Sequence, residues 1–182
     1  MFSNIQCADD KSDLIQSINS QTQTIVRKSV SVLTQSEIND YVTGVKALKA
    51  EKNGNSNTYD NYVNMHNKYA SFAHSCAAFL PWHRYFILQF ERDMQRVLKN
   101  PNYALPYWQW ELSTGEHDTI WSDTFMGRDG TYDSDDPNAS PVKSGPFQSG
   151  SWVLADGKSP LAVAARFYKS GGPHLSVFSG PQ

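Results

Sequence analysis

Between Thr34 and Leu98 the apolar positions fall into three helical stripes separated by polar breaks. In the first, Ile38, Tyr41, Val42, Val45 and Leu48 recur at three- and four-residue intervals, the spacing that lines one face of an α-helix. Thr34, Gln35, Ser36 and Glu37 precede it as a capping box, with a hydroxyl at the N-cap and a carboxylate three residues on. The pattern predicts a helix over 35–50, stopped by the polar loop 49–57 around Gly54. A second helix should begin near Thr58 and set Tyr59, Tyr62, Val63 and His66 on one inward face. Pro81 marks the first turn of a third, where a missing N–H costs nothing. There His83, Phe86, Ile87, Phe90, Met94 and Val97 form one stripe, with Arg84, Gln89, Arg92, Asp93, Gln95 and Arg96 facing away. His66 and His83 therefore both sit on apolar faces.

Outside these stripes the periodicity weakens. Residues 1–33 are polar and read as a strap with one short helix at most. Leu105, Pro106, Tyr107, Trp108, Gln109, Trp110 and Glu111 form an aromatic cluster too proline-constrained for a regular helix start. Residues 113–160 are rich in Gly, Pro, Ser and Asp and read as a long ordered loop, which in a compact domain implies a functional or packing reason. One short helical stretch follows at 161–168, and the chain ends at Gln182 without a capped element, as expected of a domain cut short. There is no internal repeat.

A length of 182 residues suits one domain, and 13% aromatic content predicts an aromatic-heavy core. A net charge of -2 argues against nucleic acid or an anionic membrane surface as the main partner. No apolar run approaches the roughly 20 residues that span a bilayer. No basic start followed by an apolar stretch marks a secretory signal, so the compartment stays open between the cytoplasm and a leader lying outside this sequence. Two cysteines, Cys7 and Cys76, allow at most one disulfide and read as two separate thiols.

The chemistry concentrates in His66, His74 and His83, three of the chain's five histidines. A lone buried histidine is usually a satisfied core residue. Three together, two on inward helix faces and one on the connection between them, share a focus easily, as do ligands on the facing helices of a bundle. Imidazole suits copper, zinc, iron and nickel, and three imidazoles leave a coordination position open for catalysis or gas binding. Spacing alone leaves zinc and copper both open.

The string from His66 through His74, Phe79, Leu80, Pro81, Trp82, His83 and Arg84 to Phe90 and Glu91, followed by Leu105, Pro106, Tyr107, Trp108, Gln109 and Trp110, resembles the first copper half-site of the tyrosinase, catechol oxidase and hemocyanin family. The match is close over 59–111. It is looser around Val26, Arg27, Lys28, Leu33, Thr34 and Glu37 and from Ser144 to Trp152. The resemblance implies a mainly α fold, a copper-binding helical bundle with long ordered loops, of which 1–182 forms a single incomplete domain. It implies that His66, His74 and His83 hold the first of two coppers and that Trp82 and Phe90 shape the surrounding pocket. Arg84 and Glu91 read either as helix-surface charges or as a supporting pair.

In the family, dioxygen takes up two electrons from two coppers, each held by three neutral imidazoles. The implied function is oxidation of phenols or catechols to o-quinones with dioxygen. Reversible dioxygen carriage and a non-catalytic protein binding a single copper are the alternatives, and relatives that work outside the cell or in vesicles suggest such a location. The second half-site needs a His-x-x-x-His pair and a further histidine, and only His117 and His174 remain. His117 lies in a polar stretch and reads as solvated. His174 loosely resembles the opening of the second site, but Phe178, four residues on, cannot bind copper. One copper is therefore expected from this chain. Some family members join a cysteine two residues ahead of the second ligand to it by a thioether. Here Cys76 follows His74 by two, so that bond is not carried over and Cys76 reads as a small buried residue.

Overall fold

The computed structural model describes residues 24–74, 76–112, 118–128 and 142–153. The first helix, α1 (Gln35–Ala50), carries the full capping box: Glu37 N–H donates to Thr34 Oγ1 (3.3 Å) and Thr34 N–H donates to Glu37 Oε2 (2.9 Å). A short antiparallel hairpin, β1 (Lys52–Asn53) and β2 (Ser56–Asn57), replaces the plain loop expected there, with Gly54 at φ +63° closing the turn. A positive φ of this kind is one that glycine adopts without a Cβ clash. Next comes α2 (Thr58–Lys68), whose N-cap Asn57 Oδ1 accepts from Asp60 N–H at 2.8 Å. A single turn, α3 (Ala70–Ala73), leads to the long α4 (Phe79–Leu98), which ends where Lys99 turns left-handed at φ 52°.

Helix α1 packs against both α2 and α4. Val45, Leu48 and Met94 are buried between them, and Tyr103, Phe147 and Trp152 from the later segments close over this core. Gly44 permits the close approach of α1 and α4: a Cβ there would lie 2.5 Å from Met94 Cε. A second cluster joins Val30, Ile38 and Phe125. The strap is fixed by a parallel bridge, with Val30 N–H donating to Tyr107 O and Tyr107 N–H to Lys28 O, both at 2.9 Å. The loop-like segments thus have a packing reason, since they deliver Trp121, Phe125, Phe147 and Trp152 to the interior.

The polar and apolar faces of α4 depart from the predicted stripe. Ile87 is exposed, while Glu91 is buried and meets Arg27 through a two-point pair (Nε–Oε2 2.8 Å, Nη2–Oε1 3.0 Å). Glu91 Oε2 also accepts Leu105 N–H at 2.8 Å, so it is a supporting residue and not a surface charge. Asp93 and Gln95 likewise turn toward partners, Tyr62 Oη and the Tyr103 carbonyl respectively. A single-stripe count assumes one covered face, whereas α4 is flanked by α1, α2, the strap and the 103–105 turn. Among the described residues no helix is long and apolar enough to cross a membrane. Cys7, His117, His174 and the stretch 161–168 lie outside the described residues.

Candidate metal centre

Three successive pieces of chain each supply one imidazole. His66 stands in the last turn of α2, His74 follows α3 in an extended conformation (φ -111°, ψ 154°), and His83 lies near the start of α4. One ring nitrogen from each falls within 4.8 Å of the other two. The closest approach is His83 Nε2 to His66 Nε2, at 3.4 Å. The rings of His74 and His83 stack at 5.2 Å with 10° between planes. All three are half-buried.

Local folding brings them together. Tyr62 lies one turn ahead of His66 and sets its ring edge on Phe86 (5.5 Å) and Phe90 (5.2 Å) of α4, which turns the His66 face toward α4. The single turn of α3 reverses the chain, so that His74 arrives beside both other rings, 5.0 Å from His66 between centroids.

The neighbours of the rings are aromatic. Trp82 stacks on Phe86 (5.0 Å, 14°) and approaches His83 at 4.8 Å and His66 at 5.8 Å. Phe79 packs 4.5 Å from His83. Phe90, expected beside the imidazoles, instead packs against Tyr59 and Tyr62 one turn deeper in the interhelical core. Phe72, two residues before His74, and Leu80, three before His83, are exposed. Behind the Trp82–Phe86 stack a cleft of about 420 Å³ opens between α2 and α4, lined also by Tyr62, Met65, Tyr69 and Tyr85.

The electrostatics suit a metal. His83 Nδ1 lies 2.7 Å from the Phe79 carbonyl, a contact that only an Nδ1–H can make favourably, so the lone pair is left on Nε2. Burial, together with the neighbouring His74 and His83, holds His66 below the usual imidazole range and favours its neutral form. A transition metal requires neutral imidazoles, and three of them with no carboxylate in the set fit copper among the ions that imidazole serves. Cys76 departs from expectation. It is exposed, and its thiol donates to the Phe72 carbonyl at 2.8 Å. A helix end leaves such carbonyls open, and the turn after α3 presents the thiol to one of them.

Two features escaped the sequence reading. The Arg27–Glu91 pair joins residues 64 positions apart, and its only sequence signal was a carboxylate between apolar positions of α4. The Tyr62–Asp93 hydrogen bond (2.5 Å) lies within what looked like an apolar face meeting a solvated one.

Residues 56–174 match the common central domain of tyrosinase. The chain is 34% identical over 141 residues to grixazone synthase of Streptomyces griseus subsp. griseus, covering 71% of this chain and 42% of that protein. It is 33% identical over 152 residues to a tyrosinase of Streptomyces lincolnensis, covering 76% of this chain and 51% of that one. A shorter match, 49% over 63 residues, links it to the 5,6-dihydroxyindole-2-carboxylic acid oxidase of Ambystoma mexicanum, covering 35% of this chain and 12% of that one. Its fold is shared with a polyphenol oxidase from Thermothelomyces thermophila, at TM-score 0.61 and 22% identity, over 78% of this chain and 46% of that one. The chain spans about half the length of the Streptomyces relatives it matches. With three imidazoles converging on a helical scaffold and the family's central domain matched across 56–174, the chain belongs to the tyrosinase family, whose cofactor is copper.

Proposed function

We propose that His66, His74 and His83 together hold one copper ion, the first of the pair that the family uses, and that the whole protein oxidises phenols or catechols to o-quinones with dioxygen. The observation that carries this reading is the convergence of three ring nitrogens within 4.8 Å, with the far nitrogen of His83 already engaged by a backbone carbonyl. Metal-binding histidines commonly use their second nitrogen in this way, which fixes the tautomer and the ring plane. The names of the relatives, tyrosinase, grixazone synthase and an indole carboxylic acid oxidase, support a phenol-oxidising class.

Copper held by the three imidazoles would supply one of the two electrons that dioxygen takes up, the second copper of the family's pair supplying the other. The chain's own residues have three tasks. The Phe79 carbonyl holds the His83 proton on Nδ1, which keeps Nε2 free as a donor atom. Burial and the neighbouring His74 and His83 lower the His66 pKa, which favours the neutral ring whose lone pair a metal needs. The Trp82–Phe86 stack packs beside His66 and His83 and lines the 420 Å³ cleft, so it stands between the triad and that opening.

The test is oxygen uptake measured together with quinone absorbance when the whole protein, loaded with its full complement of copper, is given a catechol. Both signals should appear and should be lost in His83→Ala. Turnover undiminished in His83→Ala would overturn the reading, and reversible oxygen uptake without quinone would mark an oxygen carrier instead.

A further inference from the structure

Beyond the imidazoles, α2 and α4 are joined by a polar circuit that the copper chemistry itself does not require. Tyr62 Oη donates to Asp93 Oδ2 at 2.5 Å. Asp93 Oδ1 in turn accepts from Arg96 Nε (3.1 Å) and Nη2 (3.0 Å). Arg96 then grips Glu51, at the C-terminus of α1, through Nη1–Oε1 (2.6 Å) and Nη2–Oε2 (2.8 Å). Glu51 Oε2 also accepts the hydroxyl of Thr58, the buried first residue of α2, at 2.6 Å. The circuit runs from α2 through α1 and α4 and back to α2.

It meets α2 at Thr58 and at Tyr62, and His66 stands on the next turn of the same helix face. Two anchors one turn apart fix both the rotation of a helix and its position along its axis. Packing alone is less exacting: the edge-on contacts of the Tyr62 ring with Phe86 and Phe90 tolerate sliding, whereas a 2.5 Å hydrogen bond does not. The Tyr62 hydroxyl also keeps its proton, because burial and then the adjacent Asp93 both push its ionisation well above the usual range. It is therefore a permanent donor.

We propose that Tyr62, held by Asp93, is a positioning residue for the metal centre, setting where His66 stands relative to His83. The inference rests on the triad being a metal site and deepens that reading. Partners that orient ligands directly are worth about 10- to 100-fold in metal affinity, and Tyr62 acts one step further out, so about a three- to tenfold effect is expected.

The experiment loads the full chain with Co(II), whose visible d–d bands report ligand geometry, and compares wild type with Tyr62→Phe, Asp93→Asn and Thr34→Ala. The last variant removes the capping hydroxyl of α1, far from the circuit, and serves as a control for lost stability. Tyr62→Phe and Asp93→Asn should weaken Co(II) binding about three- to tenfold and shift the bands, while Thr34→Ala leaves both unchanged. Bands and affinity superimposable on wild type in Tyr62→Phe, or the same changes in Thr34→Ala, would overturn the proposal. If Tyr62→Phe does not fold, Asp93→Asn decides by the same two readouts. Failure of the reading beneath it looks different: wild type itself would take up no Co(II), or would take it up equally well after His83→Ala.

Discussion

Glu91 illustrates how a single carboxylate can tie three segments together. It receives two hydrogen bonds from Arg27 in the strap and one from Leu105 N–H in the turn after α4. Burial alone would raise its pKa, but the hydrogen bonds from Arg27 and Leu105 outweigh burial and hold it below the ordinary value. A lowered folded-state value means stability that is present above the ordinary carboxylate range and is lost as pH falls through the folded value. Glu91→Ala leaves Leu105 N–H and Arg27 without their acceptor and should cost about 1–3 kcal/mol, read from urea midpoints at neutral pH. Glu91→Gln should flatten the acid side of the stability profile below about pH 4.5, where the unfolded carboxyl titrates. Glu37, held at about 2 by Lys28 and the Thr34 backbone, adds a loss across the window from 4.5 down to about 2, reduced by solvent screening because the pair is exposed. At this scale the convergence of three imidazoles was readable from the sequence because His66, His74 and His83 lie on consecutive elements and need no distant partner. Glu91 was not, because nothing near it in the chain announces Arg27.

Among the elements, the close contact of α1 with α4 is the most sensitive to sequence. A Cβ at Gly44 would lie 2.5 Å from Met94 Cε and 2.8 Å from its sulfur. Alanine would gain about 1 kcal/mol of helix propensity at this interior position. Both Met94 atoms belong to the flexible end of its side chain, so the overpacking cost sits near the low end of the usual range of roughly 1–3 kcal/mol, and Gly44→Ala should change stability by less than about 1 kcal/mol. Denaturant titration of that variant decides the sign. Thr34→Ala should lose about 0.5–2 kcal/mol by removing the capping hydroxyl. The three long helices follow directly from their 3.6-residue period and, for α1, from its cap. The hairpin at 52–57 escaped because two-residue strands are too short to show alternation. The faces of α4 were misjudged at Ile87, Asp93 and Gln95, since a helix covered from several sides has no single stripe.

For the molecule as a whole, the aromatic loops and the helices form one packed unit. Phe147 and Trp152 close over Val45, Leu48 and Met94, and Phe125 completes the cluster with Val30 and Ile38. Composition foretold an aromatic core, but only the three-dimensional arrangement shows which loop residues supply it. The histidine cluster spans the ends of α2, α3 and α4, so an ion held there would tie together elements that also meet through the Tyr62, Phe86 and Trp82 rings and the Tyr62–Asp93 hydrogen bond. Any ion that binds the folded chain and not the unfolded one should stabilise it by about 2.7 kcal/mol at a free concentration 100 times its Kd. A rise in thermal midpoint that depends on metal concentration in wild type, and is absent in His74→Ala, is the expected outcome. The most direct measurement is anaerobic Cu(I) titration of the full chain, with copper per chain determined by elemental analysis. About one copper per chain, lost when His66, His74 and His83 are replaced together by alanine, is the predicted result. No bound copper, or one copper retained by the triple variant, would contradict it.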